Sequence, residues 1–332
     1  MSYSSHENVG LIKVLQFLKA HHSEYLSGED LSEVLKISRV AVWKHIKKIQ
    51  TLGYEIESKQ NLGYRLTKIT DLMLPWEITD GLKTKNIGRK IYYFDKIDST
   101  QSFASTIANN KDAGGAIIIS ETQDSGKGRL GRSWVSPKGG IWLSIILHPR
   151  FDVAKITLVP LVAAIALSTA IQKTLDVKTE LKWPNDVTLR GKKIAGMIID
   201  ASIESSNIES LILGVGINFR VNPNEIEKKI KKKENFYGVA TLVGQNDKTK
   251  PAKLVQAFLE EFEKTLNSLS EGKISKIVKE WTANSSTIGK TITVSTSNGK
   301  ITGKAIKLDA DGGLIIMQKS KPTKIMVGDI SY

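Results

Sequence analysis

Gly126-Lys127-Gly128-Arg129-Leu130-Gly131-Arg132-Ser133-Trp134-Val135-Ser136-Pro137 sets three glycines, three cations and a tryptophan within twelve residues. Gly126, Gly128 and Gly131 spell Gly-x-Gly-x-x-Gly, the spacing of a dinucleotide loop whose pyrophosphate rests on the N-terminus of a following helix. The context argues against that fold. Pro137, Gly139 and Gly140 oppose any helix over 133–140. Where the ribose-binding acid belongs, only Asp152 is in range. The residues suit another task. Glycine lets the backbone approach a ligand closely and adopt φ > 0. Lys127, Arg129 and Arg132 supply charge, and arginine offers a planar fork to phosphate or carboxylate. The loop reads as a cover for an anion; the plainer alternative is a solvated basic turn.

Downstream, Lys182-Trp183-Pro184-Asn185-Asp186 precedes Lys192-Lys193-Ile194-Ala195-Gly196-Met197-Ile198-Ile199. Strands over 187–189 and 194–200 flank an Arg190-Gly191-Lys192 turn. Asp186 and Lys193 bracket this hairpin. Opposite charges so placed are either a structural ion pair or a cation and a metal-ligating carboxylate in one pocket.

These two stretches, together with Asp98-Ser99-Thr100 and Gly214-Val215-Gly216-Ile217-Asn218, occur in an order that resembles the biotin protein ligases, specifically the bifunctional ligase-repressor type. Each motif alone is weak, but their ordered co-occurrence is specific, and the resemblance covers nearly the whole chain. It implies an α+β multidomain protein. An N-terminal winged helix-turn-helix (1–66) and a linker (67–85) would precede a class II synthetase-like ligase domain of mixed α/β structure (86–282). A C-terminal SH3-like β-barrel (283–332) would follow.

Composition agrees with that size. A chain of 332 residues suffices for two or three domains. The absence of cysteine excludes a disulfide framework, thiolate catalysis and a Cys-based zinc site. No apolar signal core opens the sequence, and the most apolar run, 156–171, looks too short to span a bilayer, so a cytoplasmic protein with no membrane partner is expected. The formal charge of +14 favours anionic partners.

Along the chain, apolar residues at helical spacing over 9–20 lead to a short helix capped at Ser27 and a second begun by Ser38, over 39–52. The spacing is that of a helix-turn-helix, with the second helix as the recognition helix. Residues 36–50 hold cations and no acid. Ser38, Arg39, Lys44, His45 and Lys48 are the expected DNA-facing set, and strands around a 59–63 tip form a wing. The competing reading is a protein-binding module with a basic solvated face. A strand at 91–94 then precedes a helix capped by Ser99 or Thr100. Strands at 116–121 and 141–147, a helix over 156–174, and strands at 194–203 and 210–218 complete a strand-rich core with segregated helices, an α+β pattern. Residues 223–235, rich in lysine and glutamate, are either a surface helix or, by the resemblance, part of a loop near 221–237 that orders over adenine. Four short strands between 291 and 327 suggest the small barrel, in which no chemistry is readable.

The resemblance also implies roles. Ser99 and Thr100 would meet the biotin rings, with Gln101 standing where many relatives carry Asn. Gln123, Gly126, Lys127, Arg129, Gly131, Lys193 and Gly196 would hold biotin or the adenylate. Arg132, Trp134, Asn185 and Asn218 would line the nucleotide side, and Asp186 would take Mg2+. ATP and biotin would give biotinyl-5'-AMP, and a lysine of a biotin carboxyl carrier protein would then take the biotinyl group. The adenylate-bound form would bind operator DNA as a homodimer. A lipoate-type ligase, an adenylate-sensing repressor without transfer activity, and a ligase with a non-DNA N-terminal module are the alternatives.

Overall fold

The computed structural model describes residues 2–4, 9–230, 237–297, 299–319 and 321–331. Strand β1 (Ser2–Ser4) is followed by α1 (Val9–Ala20), α2 (Gly28–Leu35) and α3 (Arg39–Thr51), then by the hairpin β2 (Glu55–Lys59) and β3 (Gly63–Lys68). The caps form as their sequences dictate. Ser27 accepts from the Asp30 amide at 3.0 Å, and Asp30 returns the bond to the Ser27 amide at 3.3 Å. Ser38 accepts from the Ala41 amide at 3.2 Å. Leu11, Val14, Leu15, Leu31, Val42, Ile46 and Ile49 close the core of this winged helix-turn-helix.

The connector is not a loose tether. Met73, Leu74, Trp76 and Ile78 of the segment containing α4 (Pro75–Thr79) are buried. Met73 N–H donates to Glu121 at 3.1 Å, and Trp76 Nε1 donates to Tyr54 at 2.9 Å. Lys19 pairs with Glu77 at 2.7 Å. One continuous apolar cluster therefore runs from the winged helix into the central domain.

That domain holds β4 (Ile91–Ile97), α5 (Thr100–Ile107), β5 (Ile117–Gln123), β6 (Ile141–Leu147), α6 (Val159–Leu175), β7 (Glu180–Lys182), β8 (Asp186–Leu189), β9 (Lys192–Glu204), β10 (Asn207–Ile217), α7 (Pro223–Lys229), α8 (Pro251–Ser270) and α9 (Ile274–Ala283). Its sheet runs β1-β4-β5-β6-β10-β9-β8-β7, and only β4 and β5 pair in parallel. Ser2–Ser4 add to the β4 edge, so the chain's first strand belongs to the central sheet rather than to the winged helix. The backbone groups of an unpaired edge make such an addition favourable. Residues 153–175 form one helical stretch long and apolar enough to cross a membrane, which corrects the expectation that the run is too short. Two thirds of its most apolar window is buried within the protein, and α6 packs against α8 as a core helix. The C-terminal domain comprises β11 (Thr291–Thr296), β12 (Gly299–Leu308), β13 (Leu314–Gln318), β14 (Lys321–Ile325) and β15 (Asp329–Ser331), ordered β14-β13-β12-β11-β15. The last strand was not expected from the sequence.

Candidate active site

A cavity of about 560 Å3 opens above β6, β10 and β9, beneath the glycine loop and beside β15. Its deep end is a hydrogen-bonded chain of polar side chains. Ser99 caps α5 by accepting from the Ser102 amide at 3.3 Å, which frees Thr100 to face inward. Thr100 Oγ1 donates to Gln123 Oε1 at 3.1 Å, and Gln123 Nε2 donates to Ser136 at 2.9 Å. Ser144 Oγ lies 2.9 Å from both Thr100 Oγ1 and Gln101 Oε1. Gln101 Nε2 donates to Asp200 at 2.9 Å and to the Ile212 carbonyl at 3.1 Å. Gln101 thus spans the extra length of its arm and ties the chain to β9. A rigid row of donors and acceptors of this kind suits a small polar ring system.

The other end is charged. Lys193, on β9, pairs with Asp186, the first residue of β8, at 2.6 Å. The β8–β9 register slips between Val187 and Thr188, a bulge beside Lys193 of the kind that re-aims a side chain. Asn218 Nδ2 donates to the Lys193 carbonyl at 3.3 Å, so Asn218 fixes the strand that carries the lysine. The Tyr237 hydroxyl donates to the second Asp186 oxygen. Lys182 is only 3% exposed, and its Nζ lies 3.2 Å from the Tyr237 ring centroid. Burial pushes Lys182 down to about 8, against the pull of Asp186.

The glycine loop is a tight turn. Gly128 N–H donates to the Arg132 carbonyl at 2.7 Å, and Leu130 sits at φ 56. Arg129 Nη1 donates to Asn185 at 2.9 Å, and Nη2 reaches the Gly328 carbonyl at 3.5 Å. Arg132 forms a two-pronged pair with Asp329 of β15. Burial opposes charge on Asp329, but the Arg132 hydrogen bond overcomes it and holds the carboxyl below its usual range. Trp134 lies over Gly196 and Gly216, which face each other across β9 and β10. A Cβ at Gly216 would stand 2.6 Å from the indole, so glycine there is required by close approach. The buried Trp134 Nε1–H has no partner among the described residues, and the indole borders the cavity, a donor suited to a ligand acceptor.

The structure therefore brings together Ser99, Thr100, Gln101, Gln123 and Lys127 with Arg129, Arg132 and Trp134, and adds Asn185, Asp186, Lys193, Gly196 and Asn218. Gly126 and Gly131 do not line the cavity. A Cβ at Gly126 would meet the Trp134 carbonyl at 2.4 Å, whereas Gly131 carries the loop through φ 69. Lys182, Ser144, Tyr237 and Asp329 were missed as site residues, although Lys182 opens a motif already singled out. Residues 231–236 of the loop expected over adenine lie outside the described residues. Ile226 and Lys229 of α7 border the cavity. Among the described residues no group of three or more His, Cys, Asp or Glu could hold a metal, and both Asp186 oxygens are engaged by Lys193 and Tyr237.

On the winged helix, Arg39 and Lys44 face solvent. Ser38 serves as the cap. His45 and Lys48 are half-buried, and a Cβ on Gly10 of α1 would come within 2.9 Å of the His45 ring. Val40, Trp43 and Lys47 take the exposed face instead.

A model of the biotin/lipoate A/B protein ligase family matches residues 93–218. An HTH domain model matches 11–65, and a biotin protein ligase C-terminal domain model matches 287–332. The chain is 34% identical over 311 residues to the bifunctional ligase/repressor BirA of Bacillus subtilis, covering 93% of this chain and 94% of that one. It is 25% identical over 326 residues to the protein of that name from Escherichia coli, covering 98% of each. The biotin protein ligase from Aquifex aeolicus in complex with biotin and ATP superposes with a TM-score of 0.59 at 26% identity, covering 73% of this chain and 97% of that one. With the relative from Bacillus matched over nearly its whole length, the chain belongs to the bifunctional biotin protein ligase/repressor family.

Proposed function

We propose that the chain is an ATP-dependent biotin protein ligase that also represses transcription in response to biotin. The observation that carries the enzymatic half is one cavity with a neutral polar row at one end and Lys127, Arg129, Arg132, Lys182 and Lys193 around the other. Two anions must meet there. The biotin carboxylate attacks the α-phosphorus of ATP, an acyl–phosphate bond forms, and pyrophosphate leaves. Lys193 and Arg129 stabilise charge developing on the reacting oxygens. Lys182 lies beneath them as a further cation. A lysine amine of the acceptor then attacks the acyl carbon, forming the amide, losing a proton and releasing AMP. The glycine loop keeps water from the mixed anhydride between the two steps.

Any magnesium would be bound chiefly through the nucleotide phosphates, since no group of three or more His, Cys, Asp or Glu among the described residues could hold it. Asp186 would hold it after exchanging its present partners, and the ion would shield phosphate charge. The acceptor is a biotin carboxyl carrier protein, and the setting is the cytoplasm. For the second activity, α3 presents cations from a winged helix-turn-helix, the geometry for a DNA major groove. Beyond β8 and the bonds that Asn185 makes to Met197, residues 198–204 of β9 pair with β10 alone. That free sheet edge supports a homodimer reading paired half-sites.

Biotin-dependent exchange of pyrophosphate into ATP tests the enzymatic half, with lipoate as control. Exchange with lipoate alone would move the substrate and keep the chemistry. No exchange with either acid would leave a ligand-sensing repressor.

A further inference from the structure

Positions 40, 43, 44 and 47 of α3 fall at i, i+3, i+4 and i+7 and share one face. Val40 is 62% exposed and Trp43 50%. Lys44 and Lys47 are exposed beside them, with the Lys47 ammonium 6.0 Å from the Trp43 ring centroid. Val42, Ile46 and Ile49 on the opposite side already complete the domain core, so neither apolar residue is exposed for want of a fold. The helix carries no Asp or Glu.

The cations fit a polyanion, and a phosphate could accept from the indole N–H, but it offers nothing to the indole's ring face or to an isopropyl group. The apolar groups displayed in a duplex major groove are the thymine 5-methyls. The residues that reach base edges are those at the N-terminal end of a recognition helix. Val40 and Trp43 are the second and fifth residues of α3. We infer that Val40 and Trp43 are an apolar reader of thymine in the operator major groove, with Lys44 and Lys47 on the flanking phosphates. This rests on the reading of the N-terminal domain as a duplex-DNA binder and adds the base it selects.

The full-length protein, supplied with biotin and ATP, is used to select from a pool of duplexes with randomised half-sites. The enriched duplex is remade with deoxyuridine for thymidine, which deletes only the 5-methyl groups. The wild type should bind the uracil form about fourfold more weakly per contacted methyl, the affinity of one buried methyl group. Trp43→Ala and Val40→Ala should bind both forms weakly and lose discrimination between them, while keeping the wild-type slope of affinity against salt. A collapsed slope would mark an unfolded variant, and the wild-type comparison of the two duplexes decides the matter without any variant. An enriched duplex bound equally with thymine and with uracil overturns the inference and leaves DNA binding standing. A pool that yields no enriched duplex and no salt-dependent binding overturns both.

Discussion

Two clusters of cations in this chain, on α3 and in the glycine loop, are built in opposite ways. On α3, Arg39, Lys44 and Lys47 project into solvent from a helix whose geometry is already complete. In the glycine loop, Arg129 and Arg132 are tied to protein groups: Arg129 to Asn185 and the Gly328 carbonyl, Arg132 to Asp329. A preformed helix can meet a preformed polyanion by encounter alone, steered by its field. In the proposed reaction the loop would have to exchange these internal partners for those of a ligand, so its closure would depend on what it closes over. Similar residue types thus stand free on a surface in one place and are held by protein partners in the other.

Substitutions in and around the two clusters should have effects of very different size. The largest effect falls at the centre of the charged end. Lys193→Ala should lower biotin-dependent pyrophosphate exchange by about a hundredfold or more, the scale of removing one donor from developing charge. Near-normal exchange would take Lys193 out of the chemistry and leave its pair with Asp186 as architecture. Arg129→Gly should raise labelling of bystander lysines about tenfold, the equivalent of one charge-assisted hydrogen bond holding the intermediate. Labelling confined to the cognate acceptor would show that the loop does not retain the adenylate through this residue.

Lys182 adds a pH signature. Held at about 8 by burial, it is charged below that pH and loses its charge above it, so exchange should decline as pH rises through 8. Lys182→Met should flatten that limb and lower the plateau by about tenfold, one cation's share. The stability effect has the opposite direction. The folded value lies below the unfolded value of about 10.4, so the unfolded chain binds more protons over that interval, and this group's contribution to stability rises with pH across it. Thermal melts of wild type and Lys182→Met from pH 7 to 10 would reveal a divergence or its absence.

Smaller effects come from the exposed groups. Lys44→Ala should weaken binding to all duplexes alike and reduce the slope of log affinity against log salt by about one. A sequence-dependent loss would move Lys44 from phosphate to base. Asp329→Ala should lower the KM for ATP by no more than about fivefold, because a partly exposed pair is worth little. A raised KM would mean that the barrel positions Arg132 for its ligand instead of restraining it.

What was legible in the sequence was local or carried by ordered motifs. Ser27, Ser38 and Ser99 cap the helices they precede because a side-chain oxygen needs only the next turn to find its donor. The Asp186–Lys193 pairing follows from a hairpin whose turn is written in Arg190-Gly191-Lys192. The orientation of His45 was not legible. It lies at the border of the apolar stripe, and only the approach of α1 at Gly10 turns it inward.

The order of domains, a glycine loop rich in cations, the lysine and carboxylate beneath it, and a basic helix with a buried face could all be read from the sequence. The tertiary structure alone decided that Asp329, 197 residues from Arg132, restrains the loop. It alone decided that Tyr237 occupies Asp186 and covers Lys182, and that Ser144 joins Thr100 to Gln101. It also decided which face of α3 displays Val40 and Trp43. The reason is physical. Caps, turns and periodicities are set by neighbours along the chain, whereas a partner brought from a distant strand is chosen by how sheets and domains pack, and no local pattern records that choice.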